Sequence, residues 1–197
     1  TMKKILFIIF ITTFLVGCSE AFHNRYPTTN HVIESYYQTP QQGTEALASA
    51  YNCLLRDDWW SNYIMAEIMS DNCAGGAGTG DGGGFQRWDR AITWAEATAN
   101  QDAWQYYYGG IYRANTYLEY EKFIDWTGNE KLQLQYQAEA RFLRAHYHFY
   151  LTRMFGEIPA LDHTIKPDEI PPRTPAEDIF NLIIGDFKFC AENGLAA

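Results

Sequence analysis

Residues 138–159, Ala-Glu-Ala-Arg-Phe-Leu-Arg-Ala-His-Tyr-His-Phe-Tyr-Leu-Thr-Arg-Met-Phe-Gly-Glu-Ile-Pro, read as the body of a long helix that stops at Gly156 and Pro159. Projected at about 100° per residue, Leu132, Tyr136, Ala140, Leu143, Tyr147, Tyr150 and Met154 form one apolar stripe. Leu134, Ala138, Phe142, Ala145 and Phe149 form a second, and polar seams separate the two. A helix on the outside of a domain shows one such stripe. The inner helix of a stacked array must bury one face against its hairpin partner and another against the next element. The stretch therefore predicts an all-α fold, a tetratricopeptide-like helical hairpin array with long irregular loops.

Outward from this helix, Gly128-Asn129 reads as the turn that reverses the chain into it. Before the turn, Gln101 to Phe123 reads as its partner, with Asn100 as N-cap and Trp104, Tyr108, Ile111, Tyr112, Asn115 and Leu118 along one face. An earlier helix opens at Thr39-Pro40, with Thr as cap and Pro in the first turn, and buries Leu47, Ala50, Tyr51 and Leu54. Ser61 to Met69 reads as another. Pro167 to Pro175 is a proline-rich connection to a last helix, which starts in a capping box, Thr174-Pro175-Ala176-Glu177, and stops at Gly194. Its predicted buried positions are Ile179, Phe180, Ile183, Ile184 and Phe187. Nothing follows to cover that face, which predicts the N-terminal part of a longer protein.

The long helix also carries Ala138, Glu139, Arg141, Phe142, Leu143, Arg144 and Ala145, followed by Phe155, Gly156 and Pro159. This resembles the A-E-x-R-F-L-R-A and F-G-x-x-P signature of the SusD/RagB family of outer-membrane nutrient-binding lipoproteins. The likeness extends to Tyr26-Pro27-Thr28, Ser35-Tyr36-Tyr37, Ala50-Tyr51-Asn52, Ser70-Asp71, the Trp104, Tyr108, Ile111, Asn115 row and Pro172-Arg173 before Glu177-Asp178-Ile179-Phe180. Family members run to several hundred residues, so the chain corresponds to their N-terminal portion.

At the other end, Met2-Lys3-Lys4, an apolar run from Ile5 to Val16, and Leu15-Val16-Gly17-Cys18 read as a lipoprotein signal peptide over residues 1–17, with Cys18 as the acylated residue. The run is shorter than the roughly 20 residues a membrane span needs. Residues 18–38 read as an irregular, lipid-anchored lead and residues 39–197 as the helical domain. Cleavage would remove Lys3 and Lys4 and deepen the formal charge of −9 by two. No basic run lies outside the signal peptide, so nucleic acid is excluded as a partner. Of the remaining cysteines, Cys53, Cys73 and Cys190 have neither redox nor zinc spacing. They read as buried small side chains, with a Cys53–Cys73 bridge open in an oxidising compartment.

No catalytic motif emerges. His146 and His148 are two apart on a helix, about 200° around it, and do not share a metal. There is no H-E-x-x-H, Gly-x-Ser-x-Gly or phosphate-loop ending. Asp71, Asn72 and Asp81 offer the oxygen donors calcium takes, at a spacing that is not that of an EF-hand, and no other cofactor is expected. Asn72 to Arg90, rich in glycine, reads as a loop because glycine loses most backbone entropy on ordering. In it Phe85 and Trp88 have no periodic face to pack into, and an exposed indole offers a flat platform to a sugar. Trp104, Tyr108, Phe142 and Tyr147 read as core.

The resemblance implies a lipid-anchored, outward-facing outer-membrane protein that captures oligosaccharides or polysaccharides and delivers them to a SusC-like TonB-dependent transporter. It also implies ligand contacts after Ser70-Asp71, which makes Trp88, Phe85, Asn72 and Asp71 the candidate site. Peptides or other nutrients are the alternative cargo, and a lipid-anchored surface glycosidase is the alternative class. Arg141 and Arg144 are expected to form ion pairs with neighbouring helices.

Overall fold

The computed structural model describes residues 33–55, 66–70, 72–76, 78, 80–81, 83–92 and 98–194. The chain divides into two units, Thr1–Tyr36 and Tyr37–Ala197. Of the first, one helical turn, α1 (Ile33–Tyr36), is described, where sequence periodicity suggests only an irregular lead. The second is all helical among the described residues: α2 (Pro40–Tyr51), α3 (Gly83–Asp89), α4 (Thr98–Tyr120), α5 (Glu130–Phe155) and α6 (Ala176–Asn193), with 3-10 turns at Asn52–Leu55 and Glu121–Phe123.

Helix α2 begins as predicted, and more firmly. Thr39 Oγ1 accepts from the Gln42 amide while Gln42 Oε1 accepts from the Thr39 N–H at 2.9 Å, closing a capping box ahead of Pro40. Helices α4 and α5 form the expected hairpin through Gly128, which has φ 78°. Within the turn the Trp126 indole donates to Glu121 O at 2.9 Å. The buried Glu121 carboxylate accepts from the amides of Gln133 at 2.9 Å and Gln137 at 2.7 Å. A buried carboxylate without donors would be costly, and two glutamines one turn apart on α5 supply them.

The two stripes of α5 meet three neighbours, α2 and α4 on one side and α6 on the other. Tyr136 and Tyr147 reach α2: the Tyr136 hydroxyl pairs with Thr44 Oγ1 at 2.9 Å, and the Tyr147 hydroxyl donates to Ala50 O at 2.7 Å. Tyr147 and Tyr150 pack on Tyr107 of α4. On the opposite side, the Cys190 thiol of α6 donates to Ala138 O at 3.0 Å and Phe142 lies against Phe187. Small residues at Ala138, Ala140 and Ala145, all buried, let the helices approach.

Several expectations change. Helix α4 starts at Thr98, so Asn100 lies inside it. The capping box before α6 does not form, because Thr174 Oγ1 accepts from Ala160 N at 3.1 Å across the preceding connection. Phe180, Ile184 and Phe187 of α6, and Leu134 and Phe142 of α5, are exposed by about a third to a half, since no described element covers those edges. Tyr51 is likewise exposed, its hydroxyl donating to Glu139 at 3.0 Å. Cys53 and Cys190 are buried, Cys73 is exposed, and Cys53 and Cys73 are not bridged. Residues 66–69 are helical, and the rest of the predicted Ser61–Met69 helix lies outside the described residues.

Candidate functional site

The structure places the predicted site residues differently. Helix α3 occupies Gly83–Asp89, inside the stretch read as a loop, and Trp88 is 9% exposed rather than a free platform. Contacts that periodicity does not reveal order this stretch. Gln86 donates its amide to Gly78 O and Asp81 O, folding the glycine-rich run back on the helix, and Gly75 lies so close that a Cβ there would meet the Phe85 carbonyl carbon at 2.7 Å. Glycine here permits close approach as well as freedom. Phe85 is half-buried on the same helix, and Asn72 is exposed and donates to Glu67 at 3.2 Å. Asp71 and Cys18 lie outside the described residues.

A cleft of about 350 Å³ opens instead between α4 and the connection from α5 to α6. Trp104, Tyr108, Tyr112 and Asn115 form one wall; Pro159, Leu161, His163, Ile165 and Pro171 form the other. Helix spacing explains the first wall. Steps of four residues drift about 40° each around a helix. The row Trp104, Tyr108, Tyr112 therefore turns away from the fully buried line through Ile111 and Asn115. Trp104 is 38% and Tyr112 47% exposed, and Trp104 leans on Tyr108 and edge-on to Phe155. The reading of Trp104 as core is thus half correct; the drift in its row was the signal for the rest.

The second wall has no regular structure, yet its backbone is fastened from both helices. The Tyr108 hydroxyl donates to Pro159 O at 2.7 Å, and burial pushes that phenol's pKa up. The Asn115 amide donates to Leu161 O at 3.0 Å and His163 O at 2.9 Å, while its carbonyl accepts from Arg144. Arg144 also donates to Asp162 O at 2.9 Å and grips the Asp186 carboxylate of α6 with two bonds, 2.7 and 2.8 Å. Arg141 adds a contact to Asp186 at 3.3 Å, so both arginines pair across helices as predicted.

His148 completes the fastening. Its Nε2 accepts from the Leu161 N–H at 3.1 Å, so Nδ1 carries the proton and donates to Arg144 O at 2.9 Å. Burial holds this ring's pKa down at about 4, and the neutral form is the one the geometry requires. Farther along, Glu119 accepts from both Thr164 N and Thr164 Oγ1 at 2.6 Å. The exposed His163 ring lies 2.7 Å from Asp162 and 3.4 Å from Glu169, whose hydrogen bonds raise its pKa. The result is a preformed aromatic cleft, with its polar backbone satisfied. No cluster able to hold a metal ion occurs among the described residues.

Residues 44–192 match the protein family described as "Starch-binding associating with outer membrane", SusD-like. A SusD-like protein of Bacteroides ovatus is 26% identical over 199 residues, covering 98% of this chain and 35% of its own length. A SusD-like carbohydrate-binding protein from Bacteroides fragilis superposes with a TM-score of 0.70 at 25% identity, over 81% of this chain and 32% of its own. Surface glycan-binding protein A from Bacteroides fluxus does so with a TM-score of 0.66 at 27% identity, over 80% and 34%. The chain thus spans about a third of the length of the relatives it matches.

Proposed function

The chain belongs to the SusD-like family, and from that membership we propose that it is the N-terminal helical part of a cell-surface glycan-binding lipoprotein. It captures oligosaccharides and passes them to a SusC-like TonB-dependent transporter, held to the outer membrane by acyl chains on Cys18. The observation that carries this reading is the family match over residues 44–192, which takes in helix α4 and the connection that line the cleft.

Binding rather than catalysis suits the chemistry at the cleft. Its lining has no carboxylate pair, and glycoside hydrolysis needs two carboxyl groups about 5–10 Å apart across the scissile bond. The nearby carboxylates of Asp162 and Glu169 face His163, and that of Glu119 holds Thr164. Aromatic faces that take the C–H side of a sugar, with polar tips at their edges, fit a receptor.

The test is native electrophoresis through gels containing single polysaccharides, run beside a reducing-sugar assay on the same panel. Retarded mobility without product is expected. Release of reducing ends would replace the receptor with a surface glycosidase, and mobility unchanged on every polysaccharide, with retention on peptides, would reassign the cargo.

A further inference from the structure

The cleft between α4 and the α5–α6 connection has features that bear on ligand class. Trp104 and Tyr112 are the most exposed large aromatics of its helical wall. The indole N–H of Trp104 and the hydroxyl of Tyr112 engage no partner among the described residues. The neighbouring polar groups are occupied: Tyr108 on Pro159 O, and the Asn115 amide on two carbonyls. Two platforms with free donors therefore stand eight residues apart, about 12 Å along the helix axis, over a wall that is already pinned.

Charge narrows the choice. Among the described residues no lysine or arginine lines the cleft, and the ionisable base there, His163, faces the carboxylates of Asp162 and Glu169. The chain as a whole carries a formal charge of −9. Polyanionic sugars would meet repulsion and no free cationic partner for their carboxylates or sulfates.

We infer that this cleft is a subsite for uncharged glycans, with one sugar ring stacked on Trp104 and another contact at Tyr112, and that it rejects uronate-bearing and sulfated polysaccharides. The assignment rests on the glycan-binding reading above and specifies where and what it binds. It moves the contact from Trp88, whose ring is buried.

Affinity electrophoresis on neutral starch, laminarin, xyloglucan and galactomannan, and on the polyuronate alginate, tests both levels. The parent chain should be retarded by at least one neutral glycan and not by alginate. Trp104→Ala and, separately, Tyr112→Ala should each weaken that binding about tenfold, whereas Trp104→Phe should keep most of it. Melting curves on the same variants separate contact from packing. Retardation by a neutral glycan that neither alanine variant changes overturns the subsite and leaves the receptor reading standing, as does a lowered Tm with unaltered retardation, which would make Trp104 a packing residue. Alginate binding as strong as the neutral glycan overturns the charge argument and with it the inference. No retardation by any of the five overturns the subsite and the receptor reading together.

Discussion

Adjacent glycines in the middle of α4 should respond to the same substitution with opposite signs. Gly110 sits where α4 crosses α5, and in an exposed helix interior each glycine would forfeit about 1 kcal/mol relative to alanine. An alanine Cβ at Gly109 would meet nothing within 4 Å. At Gly110 it would lie against the face of Tyr147, 2.6 Å from Cδ2 and 2.7 Å from Cζ. Ordinary carbon contacts are about 3.5–4.0 Å, so the ring would have to retreat by roughly 1 Å. It has nowhere to go, being fully buried, packed on Tyr107, and tied through its hydroxyl to Ala50 O at 2.7 Å. Overpacking of this kind costs about 3 kcal/mol; the gain in helix propensity returns about 1 kcal/mol. Gly110→Ala should therefore lose about 2 kcal/mol, a fall in Tm of about 4–8 °C, while Gly109→Ala should gain up to about 1 kcal/mol and rise by about 2–4 °C. Urea unfolding with unchanged m-values checks the free energies. If Gly110→Ala matches or exceeds the parent, the close crossing of α4 and α5 is wrong.

Four further outcomes follow from particular groups. Asp186→Ala leaves the Arg144 guanidinium buried without its carboxylate and should destabilise by about 3–5 kcal/mol in urea titration; a loss below about 1 kcal/mol would mean that the pair is not formed. His148 is neutral in the fold with its pKa depressed to about 4 from 6.5, so its contribution is complete above pH 6.5 and disappears as pH falls toward 4. Stability should drop by about 3 kcal/mol across that window, and in His148→Gln the slope should flatten; the exposed His163, shifted upward, opposes this only weakly. Trp88→Ala should lower stability by about 3 kcal/mol, because the ring is buried; a Tm equal to the parent's would restore it as a surface platform. Cys18→Ser in the full-length protein should move it from the membrane to the soluble fraction, and acylated mutant still in membranes would refute the anchor.

The two-striped helix announced its neighbours because burial on two sides must be written into residues spaced by 3.6, and local pattern is enough to read that. Thr39-Pro40, Gly128 and Gly194 were legible for the same reason, since a cap or turn is satisfied by residues beside it in the chain. The resemblance in sequence order led to the right family. Contacts far apart in sequence were not legible. Thr174 looked like a cap because its local partner stands three residues on, but Ala160 N, on the far side of the connection, claims its hydroxyl. Trp88 looked exposed because a glycine-rich run precedes it, but it lies buried on a helix whose Gln86 holds that run through Gly78 O and Asp81 O. Asn115 looked like one more position on a helical row, while its amide holds the wall of a cleft 46 and 48 residues away. Periodicity records which side of a helix avoids water; which distant backbone meets that side, and so which aromatics of α4 remain open to a ligand, is decided only when the chain closes.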